Sequence, residues 1–430
     1  MNKPYLVVSC PIDTYSGYGA RARDFVKALI ELDQYDVQIL SQRWGNTRFG
    51  YLEDHNEIDL LSKIVPQLTK QPDIWIQITV PNEFQKVGKY NIGVTAGIET
   101  TLCDPSWIQG CNNMDLVLVS SEHAKKVFEE SKFNMQDNRT GQVTGTVELQ
   151  TKVEVLFEGA DINKYGPLAF PTKLKLDEID EQFCYLVVGH WLPGDLGEDR
   201  KNIGYTIKSF LETFKNKPKY KLPALILKVQ AGSGTSIMDR EALLAKIDQI
   251  KSTVKGTLPN IYLIHGDMTD AEMNELYNHG KVKAMISLTK GEGFGRPLLE
   301  FSLVNKPIIA SAWSGHVDFL DKEFVKLIGG TLTNVHSSAA VKNMLLEESQ
   351  WFSVDPIQVG MALKDVYENY KEWKTLAKRQ GYKSRTSFSY ESMRDTLKTL
   401  LDTNIPEFPK QVELKLPQLK KIELPQLKKI

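Results

Sequence analysis

Residues 284–300 read Ala284-Met285-Ile286-Ser287-Leu288-Thr289-Lys290-Gly291-Glu292-Gly293-Phe294-Gly295-Arg296-Pro297-Leu298-Leu299-Glu300, a short apolar run, a glycine-rich turn and then a proline. The run suits a strand, and Pro297 suits the first turn of a helix continuing through Phe301 and Leu303. Glu292 then falls on the turn and Glu300 on the helix, about two turns later. A glycine-bearing helix start exposes backbone N–H groups that suit diphosphate oxygens, while carboxylates accept hydrogen bonds from sugar and ribose hydroxyls. Neither carboxylate alone suits an anionic ligand. Taken by itself the stretch is equally an ordinary tight strand-to-helix turn, with two glutamates at a spacing many helices share.

Outward from this stretch, short apolar runs alternate with helical patterns along most of the chain, the pattern of βαβ units and parallel sheets covered on both faces. The predicted architecture is α/β. First-half strands are expected at Tyr5–Cys10, Asp36–Leu40, Ile74–Thr79, Ile92–Thr95, Leu116–Val119 and Glu154–Phe157, with helices at Arg21–Leu32 and Glu122–Ser131. Asn134–Gln150 is polar and weakly periodic, so it reads as a loop or hairpin. Gly159–Pro171 is the best linker candidate. The second half restarts with strands at Tyr185–Val188, Leu225–Val229, Ile261–Ile264, Ala284–Leu288 and Pro307–Ala310. Thr269-Asp270-Ala271-Glu272 has the capping-box spacing that begins a helix. Helical patterns dominate from Val341 to Leu401, with Gly381 as a break, and the final helix Tyr390–Thr403 is expected to return to the first domain. The division is 1–165, 166–389, a returning helix 390–405 and a tail 406–430.

A chain of 430 residues is long for one core, which favours two domains. The 41% hydrophobic content suffices for both. No apolar stretch is long enough to span a bilayer, and Tyr5–Cys10 is too brief for a secretory h-region, so the expectation is a soluble cytoplasmic protein. The four cysteines show neither C-x-x-C spacing nor disulfide-framework density, and the sequon Asn138-Arg139-Thr140 reads as accidental. A net charge of −1 excludes a general nucleic-acid coat but leaves room for a local basic patch. In the tail, Leu416-Pro417-Gln418-Leu419-Lys420-Lys421-Ile422 is repeated as Leu424–Ile430. Pro417 and Pro425 disfavour a continuous helix, leaving a strap on the protein itself or a cationic peptide that docks on a protein partner.

These segments together resemble, from about Tyr5 to Leu401, the retaining GT-B glycosyltransferases of the large GT4 group. Glu292 to Glu300 looks like that family's E-x7-E signature, Pro307–Gly315 resembles the strand and glycine turn that follow it, and Val155-Leu-Phe-Glu-Gly-Ala-Asp161 is similar to the segment closing the first domain. The resemblance implies two Rossmann-like doubly wound parallel-sheet domains facing a cleft. It implies a nucleotide-diphosphate sugar as donor substrate, with no permanent cofactor and no metal. Glu292 would face the donor sugar, Phe294 and Gly295 would offer backbone N–H groups, Glu300 would hold the ribose hydroxyls, and Lys201 would neutralise the diphosphate with Arg200 as the neighbouring candidate. Gly266 and Met268, in His265-Gly266-Asp267-Met268, would touch the nucleobase. Gly17 and Gly19, in Ser16-Gly17-Tyr18-Gly19, resemble the glycine loop beneath donor phosphate and acceptor, although a glycine pair also serves an ordinary βα turn.

The chain departs from the family at three places. Gly189-His190-Trp191 stands where many relatives carry arginine, so half of the usual cationic pair is missing or supplied by Arg200 or Arg296. Gly97-Ile98-Glu99-Thr100 replaces a His-Asp pair, and Glu99 either contacts a sugar hydroxyl or acceptor or caps the next segment. Arg296 replaces an apolar residue and binds either phosphate or a surface carboxylate. His316 and Asp318 either line the cleft or cap a turn. His55, His123, His279 and His336 read as solvent-facing, Trp75 and Trp107 as packing anchors, and Gly232-Ser233-Gly234 as a loop. The resemblance implies transfer to a hydroxyl acceptor, a glycan first and a modified DNA base second, since phage DNA glycosyltransferases share the architecture. A GT-B epimerase or phosphorolytic enzyme, and a degenerate sugar- or partner-binding module, are the competing readings.

Overall fold

Strands β1 (Tyr5–Cys10), β2 (Asp36–Ser41), β3 (Ile74–Ile78), β4 (Tyr90–Thr95) and β5 (Leu116–Val119) are followed by a hairpin, β6 (Phe133–Gln136) and β7 (Val143–Val147), and by β8 (Val153–Val155). In the computed structural model, which describes residues 3–137, 139–170, 172–231 and 236–408, the first sheet has the order β2-β1-β3-β4-β5-β8. Every pairing in it is parallel. Asn138 of the sequon, Pro171 of the linker candidate, the stretch Gly232-Ser233-Gly234 expected as a loop, and the repeated tail lie outside the described residues.

The near-continuous apolar runs follow from burial on both faces. In β5, Leu116 and Leu118 join the cluster containing Phe25, Val26 and Leu29 of the helix Gly17–Leu32. Their neighbours Val117 and Val119 point the other way, onto Trp107, Val127 and Phe128. The second sheet repeats this plan with β9 (Cys184–His190), β10 (Ala224–Gln230), β11 (Ile261–Ile264), β12 (Val282–Ser287), β13 (Ile308–Ser311) and β14 (Lys326–Ile328). Its order is β11-β10-β9-β12-β13-β14, all parallel. Along β9, Tyr185 and Val187 face one cluster and Cys184 and Leu186 the other. Strand order reverses between β1 and β3 in the first sheet and between β9 and β12 in the second, and ligands of such sheets bind beyond the carboxyl ends of the strands at these points.

The chain passes from one sheet to the other beside Ala160 and comes back beside Ser389. There the Ala160 N–H donates to the Phe388 carbonyl at 3.0 Å and the Tyr390 N–H to the Ala160 carbonyl at 2.8 Å. A Cβ on Gly159 would lie 2.6 Å from the Ser389 carbonyl oxygen, so the crossing needs glycine. The helix Tyr390–Asn404 then lays Met393, Leu397 and Leu401 into the first sheet's core.

Several expectations are corrected. The strand expected at Glu154–Phe157 is β8, one residue earlier and shorter. The stretch expected to be helical from Val341 instead contains β16 (Gln350–Val354), paired antiparallel with β15 (Gly330–Asn334). A helix begins only at Pro356, where the Asp355 carboxylate accepts from the Ile357 and Gln358 N–H groups. The brief run Trp351-Phe352-Ser353-Val354 has too few residues to separate strand from helix by period. Gly381 breaks nothing, because it lies inside the helix Tyr370–Ser387. A Cβ there would collide with Asn305 Oδ1 and approach the Ser302 carbonyl oxygen to 2.8 Å, so glycine lets this helix sit tightly on its neighbour. An exposed helical glycine gains roughly 1 kcal/mol on change to alanine. Gly381→Ala should instead lower the urea midpoint, by overpacking of about 1–3 kcal/mol, and a raised midpoint would contradict the packing role.

Candidate functional site

A cavity of about 550 Å³ opens between the carboxyl ends of the two sheets. Gly17 and Tyr18 reach it after β1, Val80 after β3, Ala96 to Glu99 after β4 and Ser120 after β5. Leu192 and Arg200 reach it after β9, and Glu292 to Arg296 after β12. Both points of strand-order reversal therefore face the same space.

Glu292 is the buried charge at its centre. Lys201 Nζ donates to both carboxylate oxygens, at 2.6 and 2.7 Å, and Arg200 Nη1 stands 3.6 Å from Oε2. Burial pushes this carboxyl up, but Lys201 and Arg200 outweigh it and hold the group at about 2, so the ionised form persists at neutral pH. Arg200 also donates to the Gly291 carbonyl at 2.8 Å and pairs with Glu99 of the opposite domain at 3.0 Å. Glu99 thus anchors a cation across the cavity and caps no described helix.

The glycines of the turn serve domain contact. A Cβ on Gly291 would fall on the Glu99 carbonyl oxygen, and one on Gly293 would lie 2.7 Å from the Ala96 carbonyl oxygen. The Ser120 hydroxyl sits between the Ala96 and Gly293 carbonyl oxygens, 3.1 and 3.0 Å away. Gly295 has φ +96°, which glycine adopts without strain. Ser314, at φ 77°, accepts the Glu292 N–H on its hydroxyl at 2.9 Å. Among the described residues the N–H groups of Phe294 and Gly295 meet no acceptor.

Arg296 is half-buried in the cavity wall and binds carboxylates from both domains: Asp24 at 2.6 Å and Glu300 at 2.8 Å. Glu300 lies behind it and does not line the cavity. Burial raises its carboxyl to about 7 in spite of Arg296. Burial likewise raises Glu158, which feels Arg21 and Arg296.

The other predicted positions divide. Gly17 lines the cavity with open space where a Cβ would stand, whereas Gly19 is packed beneath the Thr14 carbonyl. Lys201, though off the cavity surface, is joined to it through Glu292. Gly266 and Met268 lie outside the cavity. The Gly266 carbonyl accepts from Lys228 Nζ at 2.6 Å, and Met268 packs on the second domain's core. His190 ends β9, where desolvation and the charges of Lys201, Arg200 and Lys228 hold its imidazole below the ordinary value. Asp318 accepts the Glu122 N–H at 2.9 Å, capping a helix of the opposite domain. His316 is fully buried, with Nε2 on the Ser311 carbonyl at 2.7 Å. His123 is not solvent-facing: it packs edge-on against Trp313 at 4.6 Å across the domain contact. Trp75 and Trp107 are buried as expected.

Sequence reasoning missed Tyr18 stacked on Trp44 at 4.0 Å, Asp24, Lys228 and the apolar segment Ala339–Leu345. One signal existed for Asp24. Arg21, Arg23 and Asp24 interrupt the apolar face of a helix that also carries Ala22, Phe25 and Val26, and both arginines are buried.

Two facing doubly wound sheets, with a last helix returning to the first, define the GT-B fold. In fold the chain is similar to sucrose-phosphate synthase from Thermosynechococcus elongatus, at 12% identity over 94% of this chain and 99% of that one, TM-score 0.59. It is similar to a glycosyltransferase from Rickettsia africae ESF-5, at 12% identity over 94% and 99%, TM-score 0.61. Anabaena HepE, solved in complex with UDP and glucose, matches at 12% identity over 93% and 100%, TM-score 0.57. No protein-family model matches the sequence, and no curated protein matches it.

Two measurements test this geometry. Folded Glu300 keeps its proton to about 7, whereas the ordinary value is 4.5. Its share of the stability is therefore complete below the ordinary value and is lost as pH rises toward 7. Glu300→Gln keeps an acceptor for Arg296 and should shrink the fall in urea midpoint between pH 5 and pH 7; an unchanged fall would contradict the assignment. Gly291→Ala should part the domains, seen as a larger radius of gyration in small-angle X-ray scattering with unchanged far-UV circular dichroism.

Proposed function

We propose that the protein is a glycosyltransferase that moves a sugar from a nucleoside-diphosphate donor to a hydroxyl acceptor with retention of anomeric configuration. The observation that carries this reading is the buried Glu292 carboxylate, gripped by Lys201 and flanked by Arg200, at the strand-order reversal of one sheet and facing that of the other. That HepE binds UDP and UDP-glucose supports the donor class.

In this reading the donor lies against the second domain. Glu292, held ionised, accepts hydrogen bonds from sugar hydroxyls and fixes the ring for reaction. Lys201 and Arg200 stabilise the negative charge that builds on the diphosphate as the glycosidic bond breaks, and the N–H groups of Phe294 and Gly295 assist. The departing phosphate takes the acceptor proton on the same face, so the protein supplies no nucleophile. Glu300 reaches the ribose hydroxyls once Arg296 yields one carboxylate, and Gly266 and Met268 lie toward the base. The acceptor lies against the first domain, near Gly17, where Tyr18 and Trp44 offer flat apolar surface to a sugar ring. Closure over the glycine turn excludes water and limits donor hydrolysis.

The test is a panel of nucleotide sugars with measurement of nucleotide release and of the anomeric configuration of the product by NMR. Turnover should appear with at least one donor and fall by about 10²–10³ in Lys201→Ala, with Glu292→Gln similarly impaired. Absence of turnover and binding for every donor would overturn the proposal.

A further inference from the structure

We propose that the outer face of the helix Tyr370–Ser387 is a docking surface for a single nucleic-acid strand. The helix carries six basic residues against one glutamate, in a chain whose net charge is −1. Lys371, Lys374, Lys378 and Tyr382 recur at helical spacing and are exposed, with Arg379 beside them. The row spans about 16 Å at 1.5 Å per residue, a length over which a strand presents several phosphates.

Most of this charge is unbalanced. Among the described residues Lys371, Lys374, Lys378 and Arg379 have no carboxylate within ion-pair distance, while Lys383 is bound to Asp321 at 3.2 Å. The neighbouring strand adds Lys283, whose Nζ lies 5.9 Å from the Tyr370 ring.

Beside the row is a second concavity, lined by Phe324, Lys378, Arg379, Tyr382, Lys383 and Thr386 among others. Tyr382 is 67% exposed, and the Arg379 guanidinium stands 5.9 Å from the Phe324 ring. Aromatic rings interleaved with cations accept the faces of unpaired bases while the cations track the backbone. An anionic membrane fits less well, because an interfacial helix lays aliphatic and aromatic side chains into the acyl boundary. The exposed residues Lys371, Glu372, Lys374, Thr375, Lys378, Arg379, Tyr382 and Thr386 include one aromatic and no aliphatic side chain. This surface is separate from the cavity between the domains, and its assignment holds whichever acceptor that cavity takes.

Fluorescence anisotropy of the full chain with a labelled thirty-residue oligothymidylate and an RNA of equal length tests the proposal. Binding should weaken as salt rises from 50 to 200 mM, with the slope of log affinity against log salt lowered by about 0.7 for each lysine lost. Lys374→Glu with Lys378→Glu should weaken binding more than about tenfold, and Tyr382→Ala about tenfold through lost stacking. Lys219→Glu, an exposed change elsewhere, should not alter it. These positions are exposed, and an unchanged thermal melt will show that the variants fold. The proposal is overturned if the wild-type chain binds neither oligonucleotide, if the double variant binds as tightly, or if phosphatidylserine vesicles are bound and oligonucleotides are not.

Discussion

The near-touching backbones of Gly291–Gly293 and Ala96–Glu99 are the contact on which the site depends. They bring a carboxylate of one domain against a space walled by the other, buried where an unpaired charge would be costly. Lys201 and Arg200 make that burial tolerable, and Arg200 turns the arrangement into an interdomain one by also binding Glu99. The same three groups thus close the cavity and polarise it. A buried ion pair of this kind is weak evidence for stability and better evidence for placement: Glu292 is held ionised where two domains converge.

Around this contact polar groups join the two domains. Asp24 meets Arg296, Asp318 caps the helix that begins at Glu122, and Trp107 Nε1 donates to the Asn343 carbonyl at 3.1 Å. Polar interfaces of this kind suit domains that separate and rejoin, because each group can return to water when the contact opens. Arg296 shows the cost of the closed arrangement. Asp24, Glu158, Glu300 and Asp270 all bear on it electrostatically, and burial raises the Glu158 and Glu300 carboxyls.

Much of the fold was legible because both sheets are parallel and covered on both sides, so their strands appear as continuous apolar runs. Leu116–Val119 and Ile261–Ile264 were placed to the residue, and the capping box at Thr269 is present with both reciprocal bonds. Period failed where elements are short or shaped by distant partners. Nothing local in Gln350–Val354 announces its pairing with Gly330–Asn334. The reason for Gly381 lies in Asn305 and Ser302, far away in sequence. For the candidate site, Glu292, Lys201 and Arg200 were found from their spacing in a resemblance and do lie together. The purpose of the glycines was not visible, since a turn rich in glycine looks the same whether it cradles an anion or admits another backbone. Tyr18 and Trp44 lie on either side of β2 in the chain, so no local pattern announces their contact.

The crossing at Ala160 and Ser389 makes the first lobe discontinuous in sequence: its outermost covering is supplied by residues synthesised after the whole second lobe. During translation the amino-terminal sheet must wait, with the seat for Met393, Leu397 and Leu401 uncovered, until nearly four hundred residues have emerged. The first lobe could therefore not be exchanged or inherited as a simple cassette, and a chain truncated between the two would expose an oily groove on the half that remained.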